Sequence, residues 1–286
     1  MAVSMIPGST IATLIAELHQ LIGLESVKAD VQELVNYVRL QQLRRTEHLK
    51  TGDVSMHMVF VGNPGTGKTT VARLIAQIYQ ALGVLDRGHL IETDRAGLVA
   101  GYVGQTALKV NEVVDKALGG VLFIDEAYAL ARSGDENDFG AEAIETLLKR
   151  MEDHRDEFVV IVAGYPELMS QFLGANPGLA SRFSKTLVFE DYSPSELLQI
   201  LKLMCEREEY VLSPDAETMA LRLFERAYTG RDDRFGNARF ARNLFEHAVT
   251  SLATRIANVT APDRPTLMTI EAFDLQPVNV SGDADI

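Results

Sequence analysis

Eight consecutive residues carry the densest chemistry in the chain: Gly62-Asn63-Pro64-Gly65-Thr66-Gly67-Lys68-Thr69. They read G-x-x-x-x-G-K-T. Glycines let successive backbone N–H groups turn inward around an anion. Lys68 adds a point charge for phosphate oxygens, and the Thr69 hydroxyl is placed to ligate Mg²⁺. The flanks agree with that use. Met58-Val59-Phe60-Val61 is an apolar run that reads as a buried strand, and Lys68-Thr69-Thr70 lead into Val71 to Ala76 at helical spacing. The helix would aim the positive end of its dipole at the same point. Gly62 to Thr70 are therefore expected to cradle a nucleoside phosphate.

A second constellation follows another apolar run. Val121-Leu122-Phe123-Ile124 runs straight into Asp125-Glu126. Two adjacent carboxylates at a strand end can divide the work. Asp125 stays ionised and shares Mg²⁺ with Thr69, while Glu126 takes the proton of an attacking water as general base. Charge developing during such a hydrolysis needs a cation. Two arginines are candidates: Arg182 in a loop before the last strand, and Arg239 at the start of a later helix.

These groups need elements to hold them. The first helix is expected from a Ser9 or Thr10 cap, with Ile11, Leu14, Ile15, Leu18 and Ile22 on one face and Gly23 ending it. A second amphipathic helix carries Val27, Val31, Leu34, Val35 and Val38 and closes on Arg44 and Arg45. Beyond the phosphate-binding helix come a short strand at Leu90-Ile91, a glycine-punctuated exposed turn over 97–104, and a helix from Gln105 to Leu118. Then come the strand at 121–124, a polar loop over 132–140, a helix from Ala141 to Glu152, and strands at 158–163 and 186–189. Strands alternating with helices, and near-continuous β-branched runs such as Phe158 to Ala163, indicate a parallel sheet covered on both faces. After Asp191-Tyr192-Ser193-Pro194 only helical periods appear, at 195–208, 215–228 and 238–256. The expected fold is a helix-covered parallel five-stranded α/β sheet followed by a small all-helical domain. The expected segments are an N-terminal helical stretch over 1–20, a nucleotide-binding domain over 21–192, the helical domain over 193–275 and a polar tail over 276–286.

Composition narrows the setting. The chain has 286 residues, 47% of them hydrophobic and 23% charged, with a net charge of -13. That balance disfavours a broad basic face for nucleic acid. One cysteine, Cys205, has no partner for an internal disulfide; it sits in a helical pattern and reads as a packed thiol. His19, His48, His57, His89, His154 and His247 are scattered and form no zinc or nucleophile–base spacing. No basic-then-apolar leader and no membrane-length apolar run is seen, so a soluble cytoplasmic protein is expected.

Together, the glycine-rich loop, Asp125-Glu126, Arg182 and a helical second domain with Arg239 resemble an AAA+ ATPase. Gly101 to Tyr128, Asp138-Phe139-Gly140, Ala163-Gly164-Tyr165 and Asn176-Pro177-Gly178 are more specific. They look like the CbxX/CfxQ subfamily, which includes red-type rubisco activases, the stage V sporulation protein K group and the ATPase domain of type VII secretion chaperones. The resemblance spans roughly residues 20–275. It implies ATP as the nucleotide, with Mg²⁺. It implies that Ile22 and Gly23, with Leu24 and Val27, pack on the adenine base. It makes Arg182 an arginine finger acting on a neighbour's γ-phosphate, and Arg239 a sensor-2 arginine linking the second, lid-type domain to the nucleotide. Tyr102 and Val103 match an aromatic–hydrophobic pore-loop pair. The residues at the usual sensor-1 place, Ala163-Gly164-Tyr165, offer no side-chain amide, and that role stays unassigned. The resulting expectation is a hexameric ring motor that hydrolyses ATP to remodel or thread a protein client. The alternative is a nucleotide-gated assembly or scaffold protein with incidental turnover. No feature of the residues selects a rubisco, sporulation or secretion client.

Overall fold

The computed structural model describes residues 10–52, 55–102, 104–131, 139–183 and 185–276. Two compact units emerge: Met1–Gly62 with Gly67–Phe189, and Asn63–Thr66 with Glu190–Ile286.

In the first unit, helix α1 (Ile11–Gln20) starts where the Thr10 side chain accepts the Thr13 N–H; Ser9, the other expected cap, lies outside the described residues. Gly23 and Leu24 both adopt left-handed backbone, φ 60° and 61°, and turn the chain into α2 (Glu25–Thr46). The alternation continues with β1 (Met58–Gly62), α3 (Lys68–Ala81), β2 (Leu90–Thr93), α4 (Arg95–Leu98), α5 (Gln105–Ala117) and β3 (Val121–Ile124). A 3₁₀ turn (Ala127–Ala131), α6 (Gly140–Asp153), β4 (Val159–Gly164), α7 (Pro166–Gly174), α8 (Pro177–Arg182) and β5 (Lys185–Phe189) complete it. The five strands are all parallel, in the order β2-β3-β4-β1-β5.

Side chains on β1 alternate between two cores, as a strand's period of two requires. Met58 and Phe60 join the cluster built with α1, α2 and α3. Val59 and Val61 join the cluster built with α5, α6 and α7. The central strands β1, β3 and β4 are thus buried on both faces, which explains their continuous apolar runs, while the edge strands β2 and β5 stay partly exposed.

Two segments expected as loops contain short helices. Asp94 caps α4 by accepting the Gly97 N–H at 2.9 Å. Asn176 caps α8 by accepting the Gly178 N–H at 2.8 Å, with Pro177 following at the first helical position. Local capping chemistry, not apolar periodicity, creates both.

The second unit contains α9 (Pro194–Arg207), β6 (Val211–Leu212), α10 (Pro214–Thr229), α11 (Ala238–Ile256), α12 (Arg264–Met268), β7 (Thr269–Ile270) and a 3₁₀ turn (Ala272–Leu275). Ser193 and Glu196 start α9 with a reciprocal capping box. Leu197, Leu201, Phe224, Leu244 and Leu252 are buried in it. It is helical as expected, with one addition: β6 and β7 form a two-stranded parallel ladder. Strands of two residues are too short to leave a period in the sequence. Arg255 closes that end, donating to the buried Asp274 carboxylate through Nε at 3.1 Å and Nη2 at 2.8 Å, and to the Thr269 carbonyl at 2.8 Å. Cys205 is buried, and burial raises its thiol pKa to about 11. Among the described residues no helix is long and apolar enough to cross a membrane. The tail beyond Gln276 lies outside the described residues.

Candidate nucleotide site

The glycine-rich loop requires its glycines. Gly62 closes β1 at φ 151°, and a Cβ there would lie 2.3 Å from the Phe189 carbonyl oxygen. Gly65 and Gly67 sit at φ 72° and 92°. Helix α3 starts at Lys68 with no side-chain cap. The positive end of the helix thus lies at the loop, where an anion is favoured. The Lys68 ammonium folds back to donate to the Gly62 carbonyl at 2.8 Å. Thr69 is half-buried beside it, and Thr70 is exposed.

The strand register brings Asp125 and Glu126 to the same edge. Ile124 pairs with Val162 and Val162 with Val59, so Asp125 follows β3 level with Phe60, two residues before Gly62 ends β1. One strand, β4, separates them, or about 10 Å laterally at the usual strand spacing. The structure thus gathers Gly62, Lys68, Thr69, Asp125 and Glu126 at the carboxyl edge of a parallel sheet, where ligands of open α/β folds bind. Glu126 has left-handed backbone, φ 48°, and its carboxylate is exposed. Its N–H donates to Asp125 Oδ1 at 3.0 Å, and its carbonyl accepts the Ala129 N–H at 2.8 Å. Such backbone costs a side-chain-bearing residue of order 1 kcal/mol, and strain of this kind concentrates at functional positions. Between β4 and α7, a Cβ on Gly164 would fall 2.6 Å from the Tyr128 ring. Packing therefore demands glycine where a polar sensor would otherwise stand.

Asn63–Thr66 belong to the second unit, and a polar node that sequence reasoning missed holds them there. Asn63 Nδ2 donates to both Asp191 oxygens at 3.0 and 3.2 Å. The fully buried Asn237 donates to Asp191 Oδ1 at 2.8 Å and to the Pro64 carbonyl at 3.3 Å, and its Oδ1 accepts the Tyr192 N–H at 2.8 Å. Tyr192 donates its hydroxyl to the Thr66 carbonyl at 3.3 Å, and burial raises that phenol to about 12. Ala238 N–H donates to the Gly65 carbonyl at 3.2 Å. A Cβ on Gly65 would meet the Gly236 oxygen at 2.2 Å and the Arg239 nitrogen at 2.9 Å. The start of α11, with the exposed Arg239 side chain, therefore lies against the loop residues of its own unit. Asp191 was legible only as a boundary, and Asn237 only as a neighbour of Arg239.

Other expected residues are placed apart. Ile22 and Gly23 are half-buried in the bend before α2, where the Ser26 hydroxyl donates to the Val188 carbonyl at 3.4 Å. Tyr102 is 73% exposed between α4 and α5. Val103 lies outside the described residues. Arg182 is not in a loop but ends α8, just before Lys185, which pairs with Met58 at the start of β1. It therefore sits at the amino edge of the sheet, about 13 Å or more from Gly62 by strand rise alone. Its guanidinium pairs with Glu152 at 2.9 Å and reaches the Gly178 carbonyl at 3.4 Å.

Two family models match the chain: the ATPase family associated with various cellular activities (AAA) over 58–191, and the AAA lid domain over 193–283. Stage V sporulation protein K of Bacillus subtilis is 46% identical over 91% of this chain and 80% of its own. The chromosomal protein CbxX of Cupriavidus necator is 44% identical over 93% of this chain and 84% of its own. The chain belongs to the CbxX/CfxQ family of AAA ATPases. Another relative is the chloroplastic ribulose bisphosphate carboxylase/oxygenase activase of Cyanidioschyzon merolae, 44% identical over 90% of this chain and 87% of its own. Among solved structures, the FIGL-1 AAA domain in complex with ADP superposes with a TM-score of 0.61 at 17% identity, covering 90% of this chain and 80% of that one. A Thermotoga maritima RuvB variant gives 0.58 at 21%, covering 90% and 69%. These two likenesses concern the fold. As a member of the family, this CbxX/CfxQ ATPase hydrolyses ATP.

Proposed function

We propose that this ATPase is an Mg-ATP-driven motor that assembles into a hexameric ring and remodels or partly threads a protein client. The observation that carries the reading is the place of Arg182. It lies at the sheet edge opposite its own Gly62, so a finger role requires the site of another subunit.

The roles follow from the chemistry of each group. Backbone N–H groups of Gly65 to Thr70 and the Lys68 ammonium hold phosphate oxygens, with Asn63, Pro64 and Thr66 shaping the turn. Asp125 and Thr69 offer one carboxylate and one hydroxyl. That donor set fits Mg²⁺, which takes most of its other ligands from phosphate and water; bound there, the ion would neutralise phosphate charge. Glu126 accepts the proton of the attacking water, and its exposed carboxylate on a bonded backbone turn suits that task. Arg182 of a neighbouring subunit then offsets charge on the transferring phosphoryl group. Arg239 completes the nucleotide contacts from the lid, and Ile22 and Gly23 pack on the base. Tyr102, with Val103, grips the client. The relatives' names include a sporulation protein and a rubisco activase, and a protein client of either kind fits this scheme.

Glu126→Gln tests it. The variant should bind ATP with near-normal affinity and lose about 100-fold or more in turnover, the usual share of a general base. It should sediment as a stable ring with ATP. Normal turnover, or a monomer at saturating ATP, would refute the reading.

A further inference from the structure

Between the hydrolytic strand and the loop that bears Tyr102 runs a line of polar contacts that the catalytic roles leave unused. It begins at Glu126. The turn after that residue, Ala127–Ala131, carries the Ala129 carbonyl, which accepts a hydrogen bond from Arg95 Nη1 at 2.6 Å. Arg95 is the first residue of α4. A cleft of about 380 Å³ separates the two segments, lined by Asp94, Arg95, Ala96 and Val99 on one side and Glu126 and Ala129 on the other. Arg95 therefore spans a cleft that Glu126 also lines.

The α4 segment is fastened equally firmly on its other side. The Lys109 ammonium, on α5, donates to the Ala96 carbonyl at 2.5 Å and the Val99 carbonyl at 3.1 Å. The buried Thr106 hydroxyl accepts the Ala100 N–H at 3.1 Å. Leu98 is buried between them in the same core as Val110 and Val114. Tyr102 follows Ala100 by two residues. A Cβ on Gly101 or Gly104 would meet nothing within 4 Å, whereas the residues before them are held by α5. A displacement of that held base would carry Tyr102 with it.

We infer that Arg95 is a positioning residue that couples the Glu126 turn to the Tyr102 loop, so that a change at the nucleotide moves the client-gripping segment. The inference rests on the ring-motor reading of Glu126 and Tyr102 and adds the link between them. Arg95 touches neither water nor phosphate in this role. It acts through the Ala129 carbonyl, and its planar fork keeps one geometry where a lysine would hold a looser one.

The test uses the full chain with a reporter beside the loop. Gln105 is exposed at the start of α5, its N–H bonded to the Tyr102 carbonyl at 3.3 Å. Gln105→Cys accepts an environment-sensitive dye, while the buried Cys205 stays unlabelled. A non-hydrolysable ATP analogue with Mg²⁺ is then titrated, reading the dye and, separately, the binding of a fluorescent nucleotide. In the parent protein the dye should respond as the nucleotide binds. Arg95→Met keeps the apolar stem but removes the donor. It should bind nucleotide within about threefold of the parent, with a dye response about fivefold smaller or less. Arg95→Lys, which restores a donor, should recover part of the response. A full response in Arg95→Met, an absent response in the parent, or a lost nucleotide affinity in Arg95→Met would each overturn the coupling role. If Arg95→Met does not fold, a parent-sized response in Arg95→Lys together with an unshifted one in Ala129→Pro, which distorts the accepting turn, would overturn it, and reduced responses in both would support it. A parent that binds no nucleotide would instead sink the ATPase reading itself.

Discussion

His57 shows how far one imidazole can be specialised by its surroundings. It is buried between the rings of Phe158 and Phe183, and its Nδ1 accepts the Val160 N–H at 2.9 Å. The accepting nitrogen fixes the neutral tautomer with the proton on Nε2. Burial first, and the Arg182 charge second, lower its pKa from 6.5 to about 4. The unfolded imidazole takes a proton near pH 6.5 that the native one refuses until about pH 4. Stability present above pH 6.5 is therefore lost as pH falls through that window, by up to about 3 kcal/mol. His57→Gln keeps an amide oxygen for Val160 but cannot titrate. Urea unfolding at pH 7 and pH 4.5 should show about 2 kcal/mol less pH-dependent loss in the variant than in the parent; equal losses would show that His57 does not carry the effect. Because Phe183 follows Arg182, and the Ser55 hydroxyl donates to the Arg182 carbonyl, the same cluster fixes the backbone that carries the candidate finger.

The informative element is the glycine-rich loop. Its sequence pattern is local, yet its conformation is set by partners far along the chain. Asn237 alone supplies hydrogen bonds to Asp191, Tyr192 and the Pro64 carbonyl while holding φ 50° and ψ −124°. A buried donor or acceptor left without a partner costs about 1–3 kcal/mol, and Asn237→Ala strands several. The variant is expected to unfold about 2–4 kcal/mol more easily, and to bind a fluorescent nucleotide at least about tenfold more weakly, because the loop loses its preset shape. Titration and denaturant unfolding together check this. Unchanged nucleotide affinity in a folded Asn237→Ala protein would confine the node to stability. The same logic makes Gly65 doubly constrained. It needs positive φ, and any Cβ would strike the Gly236 oxygen.

At the scale of the whole molecule, the decisive feature is a separation. The phosphate loop ends at the carboxyl edge of the sheet and Arg182 stands at the amino edge, paired with Glu152. One chain cannot bring them together without unmaking β5. The proposed head-to-tail ring would resolve this, because each heterologous interface joins different faces of identical subunits. Lys68→Ala subunits retain the finger, and Arg182→Ala subunits retain the loop. Each alone should turn over little ATP. An equal mixture should recover up to about a quarter of the parent rate, since a productive interface needs one of each in the right order. A mixture no more active than its components would place Arg182 outside the neighbour's site. In the proposed ring, the guanidinium would have to leave or share the Glu152 carboxylate.

What the sequence determined by itself was everything encoded by short-range pattern. The strand–glycine loop–helix around Lys68, the strand ending in Asp125-Glu126, the parallel α/β class and the helical second unit all rest on spacing and turn chemistry confined to a few consecutive residues. Local capping by Asp94 and Asn176 was also present in the residues, but it has no period and so was missed. Tertiary structure alone decided the rest. It put Asn63–Thr66 with the second unit through Asp191 and Asn237, placed Arg182 beyond reach of its own loop, buried His57 beside that arginine, and set Arg95 across from Ala129. Each relates residues tens to more than a hundred positions apart. Such contacts are chosen by strand order and core packing, and no neighbouring residue records them.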